Sequence, residues 1–272
     1  MTAVAGRRSL FAALALLATM LLVAGCGGGG KDRKAASGRF ATIRAGTLTV
    51  GSDIPYPPFE FGRPPYEGFD VDVVNEVAKR LDLEARIEKG PFETILRGLG
   101  QSRYDLVASA VPITGDRRKT VDFSEPYFPA EQSLMVKKGS DIKTVSDLSG
   151  KRVGAQLGTT GAEYANKETN AAVRTYQQID DALNALEAGQ VDAVVHDFAI
   201  TKFAERSRKA LVVVQAIPTG EQYGLAFAKG RTGLRQAVNT ALEQMKKDGT
   251  YARIYRKWLR SDPPDSILST NS

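Results

Sequence analysis

Asp53, Arg117, His196 and Asp197 are ionisable side chains of the kinds that hold or move charge. Each stands at or just past a stretch that reads as the end of a strand. Tyr56 and Phe92 add aromatic faces, Ser109, Gln156, Thr159 and Thr160 add polar side chains, Ala110 stands with Ser109 at a strand end, and Gly161 closes the Gly158–Gly161 turn. An anion, a guanidinium, amides at a helix start and aromatic faces form a set that suits a small zwitterion. A ligand carboxylate would pair with Arg117, whose planar fork can bind it bidentately. The amides of Thr159–Gly161, at a helix N-terminus, would add donors. A ligand ammonium would meet Asp197. Tyr56 and Phe92 would hold the aliphatic part and add cation–π attraction. Asp53, Gln156 and His196 remain to read the ligand's own side chain.

Each residue also has a plainer role. Arg117 lies in a charged run, Asp116-Arg-Arg-Lys119, that reads as a solvated turn. Asp53 could cap a loop and Asp197 the helix after it. Tyr56 and Phe92 could be core, and His196 a satisfied buried histidine. What gathers them is placement, because ligands of open α/β sheets bind beyond the carboxyl ends of the strands.

The elements that would place them alternate along the chain. Leu48–Asp53 reads as a strand. Val73, Val74, Val77, Ala78 and Leu81 recur at helical spacing, and Asp70 stands where an N-cap belongs. A strand near Ala85–Lys89, a helix near Phe92–Leu99 and a strand at Asp105–Val111 follow. After an extended, proline-marked stretch, Phe123–Met135, the rhythm restarts. It gives a strand at Lys151–Leu157, a turn and helix from Gly158, a helix at Asp180–Ala188, and strands at Val191–Asp197, Leu211–Gln215 and Tyr223–Lys229. Leu234–Lys247 and Tyr251–Leu259 read as closing helices. Two βα blocks of this kind point to two α/β lobes with mostly parallel sheets.

Composition narrows the chemistry. Cys26 is the only cysteine and His196 the only histidine, so an internal disulfide, a cysteine-based metal site and a multi-histidine zinc site are excluded. No cofactor is implied. The net charge of +6 is spread along the chain with no basic block interleaved with aromatics, so nucleic acid is not an expected partner.

The chain opens with Arg7-Arg8 and an apolar run from Leu10 to Ala24, the layout of an export signal. Val23-Ala24-Gly25-Cys26 resembles the lipobox of bacterial lipoproteins. That resemblance implies cleavage before Cys26 and lipidation of its thiol, and so an extracytoplasmic protein anchored to the membrane. Without residues 1–25, 247 residues and a charge of +4 would remain. Residues 26–43 read as a flexible tether, and residues 263–272 as a short tail.

Gly68-Phe-Asp-Val-Asp-Val73, followed by a helix, resembles the signature of family 3 of the bacterial extracellular solute-binding proteins. Further matches are Ser52-Asp53-Ile-Pro-Tyr-Pro-Pro-Phe59, Ile113-Thr-Gly-Asp-Arg-Arg-Lys119, Val121-Asp-Phe-Ser-Glu-Pro-Tyr127, Gly224-Leu-Ala-Phe-Ala-Lys229 and Asp248-Gly-Thr-Tyr251 with Ile254-Tyr-Arg-Lys-Trp258. They run in family order over nearly all of residues 46–260. The resemblance implies the two-lobed type II periplasmic-binding-protein fold with two hinge crossings. On that template the first lobe is 44–128 plus 223–262 and the second 132–218. The crossings fall at 127–131 and 219–223.

It also implies a monomeric receptor that delivers a polar amino acid to the permease of an ABC importer. The family's carboxylate-binding arginine falls on Arg117, its ammonium-binding aspartate on Asp197, and its stacking aromatics on Tyr56 and Phe92. His196-Asp197 and Asp53 resemble the glutamine binders and make glutamine the first expected ligand. A basic amino acid stays open, because Asp53 could pair with its cation. Gln156 and Pro112 depart from the family pattern, and Pro112 has neither hydroxyl nor N–H to offer; Ser109 or Thr114 could compensate. Two other classes stay open: an amino-acid sensor, and a dehydratase-like enzyme using Asp53 and His196 as acid and base.

Overall fold

The structure, a computed structural model, describes residues 40–269. The export signal, Cys26 and the tether up to residue 39 lie outside the described residues. No helix among those described is long and apolar enough to cross a membrane.

Buried Leu48, Thr49 and Val50 form β1 (Thr47–Ser52). Then come α1 (Phe69–Arg80), β2 (Glu84–Lys89), α2 (Phe92–Gly100), β3 (Leu106–Val107), α3 (Gly115–Thr120), β4 (Val121–Phe123) and β5 (Phe128–Lys137). After a 3-10 turn at Val145–Leu148 come β6 (Arg152–Gln156), α4 (Thr160–Glu168), β7 (Ala172–Tyr176), α5 (Ile179–Glu187), β8 (Ala193–Asp197), α6 (Phe198–Ser207) and β9 (Leu211–Tyr223). β10 (Ala226–Ala228), α7 (Thr232–Lys247), α8 (Thr250–Leu259) and α9 (Asp265–Leu268) complete the chain.

Two five-stranded sheets result, ordered β2-β1-β3-β10-β4 and β7-β6-β8-β5-β9. Each is mixed. β1 runs parallel to β2 and β3, and β6 parallel to β7 and β8. β10 and β5 enter antiparallel, each just after the chain has crossed from one half to the other. β9 is far longer than the five residues expected. It pairs with β5 from Leu211 to Tyr223, so Phe128↔Tyr223 and Ala130↔Glu221 join the two segments that link the sheets. Pro112 bridges to Tyr223 and ties this ribbon to the first sheet.

The apolar stripe of α1 does what its spacing predicts. Val73, Val74, Val77 and Ala78 pack with Leu48, Val50, Leu106 and Phe227, closed over by Leu234, Val238, Leu242 and Met245 of α7. Fully burying one such side chain contributes about 1.5–3 kcal/mol. Beneath the second sheet, Leu134, Val136, Leu148, Val153, Ala165 and Val195 form a separate cluster.

Three expectations change. Gly68, not Asp70, is the N-cap of α1. Its φ of 137° and a notional Cβ only 2.0 Å from the Phe59 carbonyl oxygen leave room for glycine alone. The Asp70 carboxylate instead accepts from the Ala110 amide at 2.8 Å and the Tyr127 hydroxyl at 2.8 Å. That grip turns the chain out of β3 after two residues, with Ala110 at φ 44°. The ends also differ. Ile43, placed in the tether, donates its amide to buried Asp105 at 2.8 Å, and Phe40 packs on the core. In the expected tail, α9 buries Ile267.

Burial raises the Asp70 carboxyl to about 7, against the hydrogen bonds from Ala110 and Tyr127, which lower it. The native carboxyl thus keeps its proton over a range where an unfolded one, near 3.9, has lost it. Its stabilising contribution is full below about pH 4 and is lost as pH rises through about 7. Urea unfolding at pH 4.5 and 7.5 should show wild type losing more stability across the interval than Asp70→Asn. Equal losses would contradict this assignment.

Candidate functional site

The site is built where strand ends from both sheets meet. Ser52, the last residue of β1, donates its hydroxyl to the Ala108 carbonyl at 2.7 Å. The Asp53 amide then donates to Ser109 Oγ at 2.9 Å, and Ser109 donates in turn to Glu60 Oε1 at 2.6 Å. Ser109 and Ala110 thus stand at the site with their donors engaged, Ser109 by Glu60 and Ala110 by Asp70. Burial raises the Glu60 carboxyl well above the usual range, and Asp70 adds to it.

Asp53 is 1% exposed. Its two carboxylate oxygens accept from Gln178 Nε2 at 2.9 Å and Gln156 Nε2 at 2.8 Å, both from the second sheet's side. Burial raises its pKa, with the two amide donors and the field of Lys89 opposing.

The second corner centres on Asp197, the last residue of β8. It stands at the N-cap position of α6, yet its side chain makes no capping bond. Its carboxylate accepts from the Tyr56 hydroxyl at 2.7 Å, the Tyr223 hydroxyl at 2.5 Å and Gln132 Nε2 at 2.6 Å. Gln132 faces Asp197 because β5 and β8 pair in that register. With the Tyr56 proton on Asp197, the phenol oxygen can only accept from His196 Nε2 at 2.8 Å. His196 is therefore the Nε2–H tautomer, with buried Nδ1 unpartnered. Burial lowers its pKa and keeps the imidazole neutral. Its edge lies against the Tyr56 ring, centroids 5.5 Å apart. It supports Tyr56 from behind, at 0% exposure.

The third corner holds Arg117 on α3, capped by Thr114, which accepts the Arg117 amide at 3.2 Å. The guanidinium donates to the Pro112 carbonyl at 2.9 Å and, across to the second lobe, to the Gly158 carbonyl at 3.0 Å. It lies 5.3 Å from the centroid of Phe92. Pro112, which lacks a donor, thus serves through its carbonyl, and Thr114 serves as the cap. Burial pushes the Arg117 pKa down, but a guanidinium stays charged. Two of its five N–H donors are engaged in these contacts. Thr159 caps α4, accepting the Ala162 amide at 3.2 Å and donating to the Gln156 carbonyl at 2.8 Å. The amides of Thr160 and Gly161 open that helix, where no preceding turn can satisfy them. Thr160 Oγ accepts from Gln132 at 3.3 Å. Gly161 lies so near that a Cβ there would sit 2.6 Å from Gln132 Oε1.

The twelve expected residues thus converge on three corners, with Ser109, Ala110 and His196 acting through neighbours. Sequence reasoning missed Gln132, Gln178, Glu221 and Tyr223. Gln132 also donates to Glu221 Oε2 at 2.8 Å. Adjacent buried polar residues Gln132 and Ser133, beside the apolar run Leu134-Met-Val136 of the same strand, were the one available signal. Cavities of about 770 and 600 Å³ lie along α7, lined by none of the twelve.

A model of the bacterial extracellular solute-binding proteins, family 3, matches residues 48–261. The ABC transporter glutamine-binding protein GlnH of Bacillus subtilis is 36% identical over 204 residues, 73% of this chain and 75% of that protein. The L-cystine-binding protein TcyJ of Escherichia coli K12 is 35% identical over 225 residues, 80% of this chain and 84% of that protein. The solved structure of the arginine-, lysine-, histidine-binding protein ArtJ from Geobacillus stearothermophilus superposes with a TM-score of 0.77 at 32% identity, covering 82% of this chain and all of that one.

Proposed function

Because the chain belongs to family 3 of the bacterial extracellular solute-binding proteins, we propose that it is the receptor of an ABC importer for a polar amino acid. The ligand sits between the lobes, its carboxylate on Arg117 and the Thr160–Gly161 amides, its ammonium on Asp197. The observation that carries this reading is the spacing of unlike charges on opposite lobes: Arg117 over Phe92, and Asp197 held by three donors. Tyr56 spans the gap between them from the first lobe and offers its ring to the ligand's aliphatic part. Relatives named for glutamine, cystine, and arginine, lysine and histidine support the class; glutamine is one member of it.

Closure would follow from the same contacts. Tyr56, Asp53 and Arg117 each reach from the first lobe to the second, while the paired β5 and β9 segments provide the hinge. The lipid on Cys26 and the tether would hold this receptor outside the cytoplasmic membrane, facing its permease. Calorimetric titration of residues 31–272, refolded from denaturant, with the twenty common amino acids tests the reading. Tight binding of one or a few polar amino acids without turnover is expected; no binding across the panel would overturn it.

A further inference from the structure

Glu60 is an acid with no charge partner and no surface to offer a ligand, being 0% exposed. Its Oε1 accepts one hydrogen bond, from Ser109 at 2.6 Å, and its Oε2 is buried with no partner. The other acids of this region are better served. Asp53 accepts from two amide side chains, Asp70 from the Ala110 amide and the Tyr127 hydroxyl, and Asp197 from three donors. The titratable groups that face Glu60 are Asp53 after β1, Asp70 on α1, Tyr56 of its own loop and Tyr127 just before β5, all of them acids. An ionised carboxylate there would be buried, nearly bare and surrounded by groups of its own sign. The neutral acid avoids that, and Oε2 is then a hydroxyl.

The surroundings of Glu60 show what such an acid does. Its main chain closes the loop that carries Tyr56: the Tyr56 amide donates to the Glu60 carbonyl at 2.6 Å, and the Glu60 amide to the Tyr56 carbonyl at 3.1 Å. The preceding carbonyls, of Pro58 and Phe59, accept from the Phe69 and Asp70 amides at 2.9 Å each, which stitches the loop to the start of α1. The Glu60 side chain then reaches the end of β3 through Ser109, whose Oγ also accepts the Asp53 amide at 2.9 Å. A serine hydroxyl has one proton to give. With that proton on Glu60, Ser109 is left as an acceptor for Asp53. The loop of Tyr56, the end of β1 and the end of β3 are thus braced through one buried carboxyl.

We propose that Glu60 is a positioning residue of the receptor, held as the neutral acid, that sets where Tyr56, Asp53 and Ser109 stand without touching the ligand. The role rests on the receptor reading above. It is indifferent to the choice of amino acid, because Glu60 meets no part of a ligand, so its loss weakens every ligand alike.

Glutamine is the neutral isostere that keeps an acceptor for Ser109, and leucine removes that acceptor. In calorimetric titration at neutral pH, Glu60→Gln should bind the tightest amino acid within about threefold of wild type. Glu60→Leu should bind it about tenfold more weakly, and weaken the second-best amino acid by the same factor. Infrared spectroscopy reads the proton directly. At about pH 8.5, above the value of about 7 for Asp70, wild type should keep a protonated-carboxyl C=O stretch that Glu60→Gln lacks. Absence of that band from wild type, or its survival in Glu60→Gln, would overturn the neutral acid, and so would Glu60→Gln binding as weakly as Glu60→Leu. Wild-type affinity in Glu60→Leu, with only its urea midpoint lowered, would make Glu60 structural alone. Binding of no amino acid by wild type would overturn the receptor reading and the positioning role with it, leaving the band to decide the protonation by itself.

Discussion

Replacing Arg117 by alanine is expected to weaken amino-acid binding by about 4 kcal/mol, roughly a thousandfold, with the fold intact. The guanidinium makes only two hydrogen bonds of its own, both to backbone carbonyls, at Pro112 and Gly158. It lies on a short helix that adds no residue to the hydrophobic core. Its removal therefore takes little from the core. In the proposed pose it does leave a ligand carboxylate beside Phe92 with the helix amides alone. The Coulombic partner in a dry cleft is what is lost, and much of the cost is that of an unpaired buried charge. Arg117→Lys should recover part of the affinity, because the charge returns without the fork. Titration of both variants with the tightest-binding amino acid, alongside their urea midpoints, reads the effect. Affinity within threefold of wild type in Arg117→Ala would remove Arg117 from the site.

The second large effect is expected at Asp197. Asp197→Asn keeps the shape and removes the charge proposed to face a ligand ammonium. Binding should fall at least about a hundredfold. Unlike Arg117, Asp197 also organises the protein, accepting from Tyr56, Tyr223 and Gln132. An asparagine oxygen can hold some of these donors, but its NH₂ end faces groups that donate. Stability should therefore drop as well, by about 1–3 kcal/mol. The two readouts belong together: a large binding loss with a modest drop in the urea midpoint. Unchanged affinity with the same stability loss would make Asp197 a purely structural residue.

The residues at strand ends were legible because periodicity places them. Once Leu48–Asp53 and Val191–Asp197 read as strands, Asp53 and Asp197 must emerge at their carboxyl ends, and both do. The family signature at residues 68–73 was legible too, but not what Asp70 does. Capping is the local use of an aspartate at a helix start. Here a long-range partner, Ala110, forty residues away, takes its place. Gln178, Gln132 and Tyr223 were illegible for a related reason. Gln132 and Tyr223 reach the site through pairings between distant segments, Gln132 opposite Asp197 and Tyr223 opposite Phe128, and Gln178 through a side-chain bond to Asp53, 125 residues away. No local pattern encodes such a register. At Pro112 the backbone carbonyl, invisible to any reading of side chains, is what Arg117 uses.

The central claim is a clamp on the two charged ends of an amino acid, and analogues that lack one end test it most directly. Calorimetric titration of the refolded protein with its tightest-binding amino acid, the des-amino acid and the α-carboxamide separates the two corners. The account predicts that each analogue binds at least about a hundredfold more weakly than the parent. An analogue missing its ammonium or its carboxylate that binds as well as the parent would contradict it.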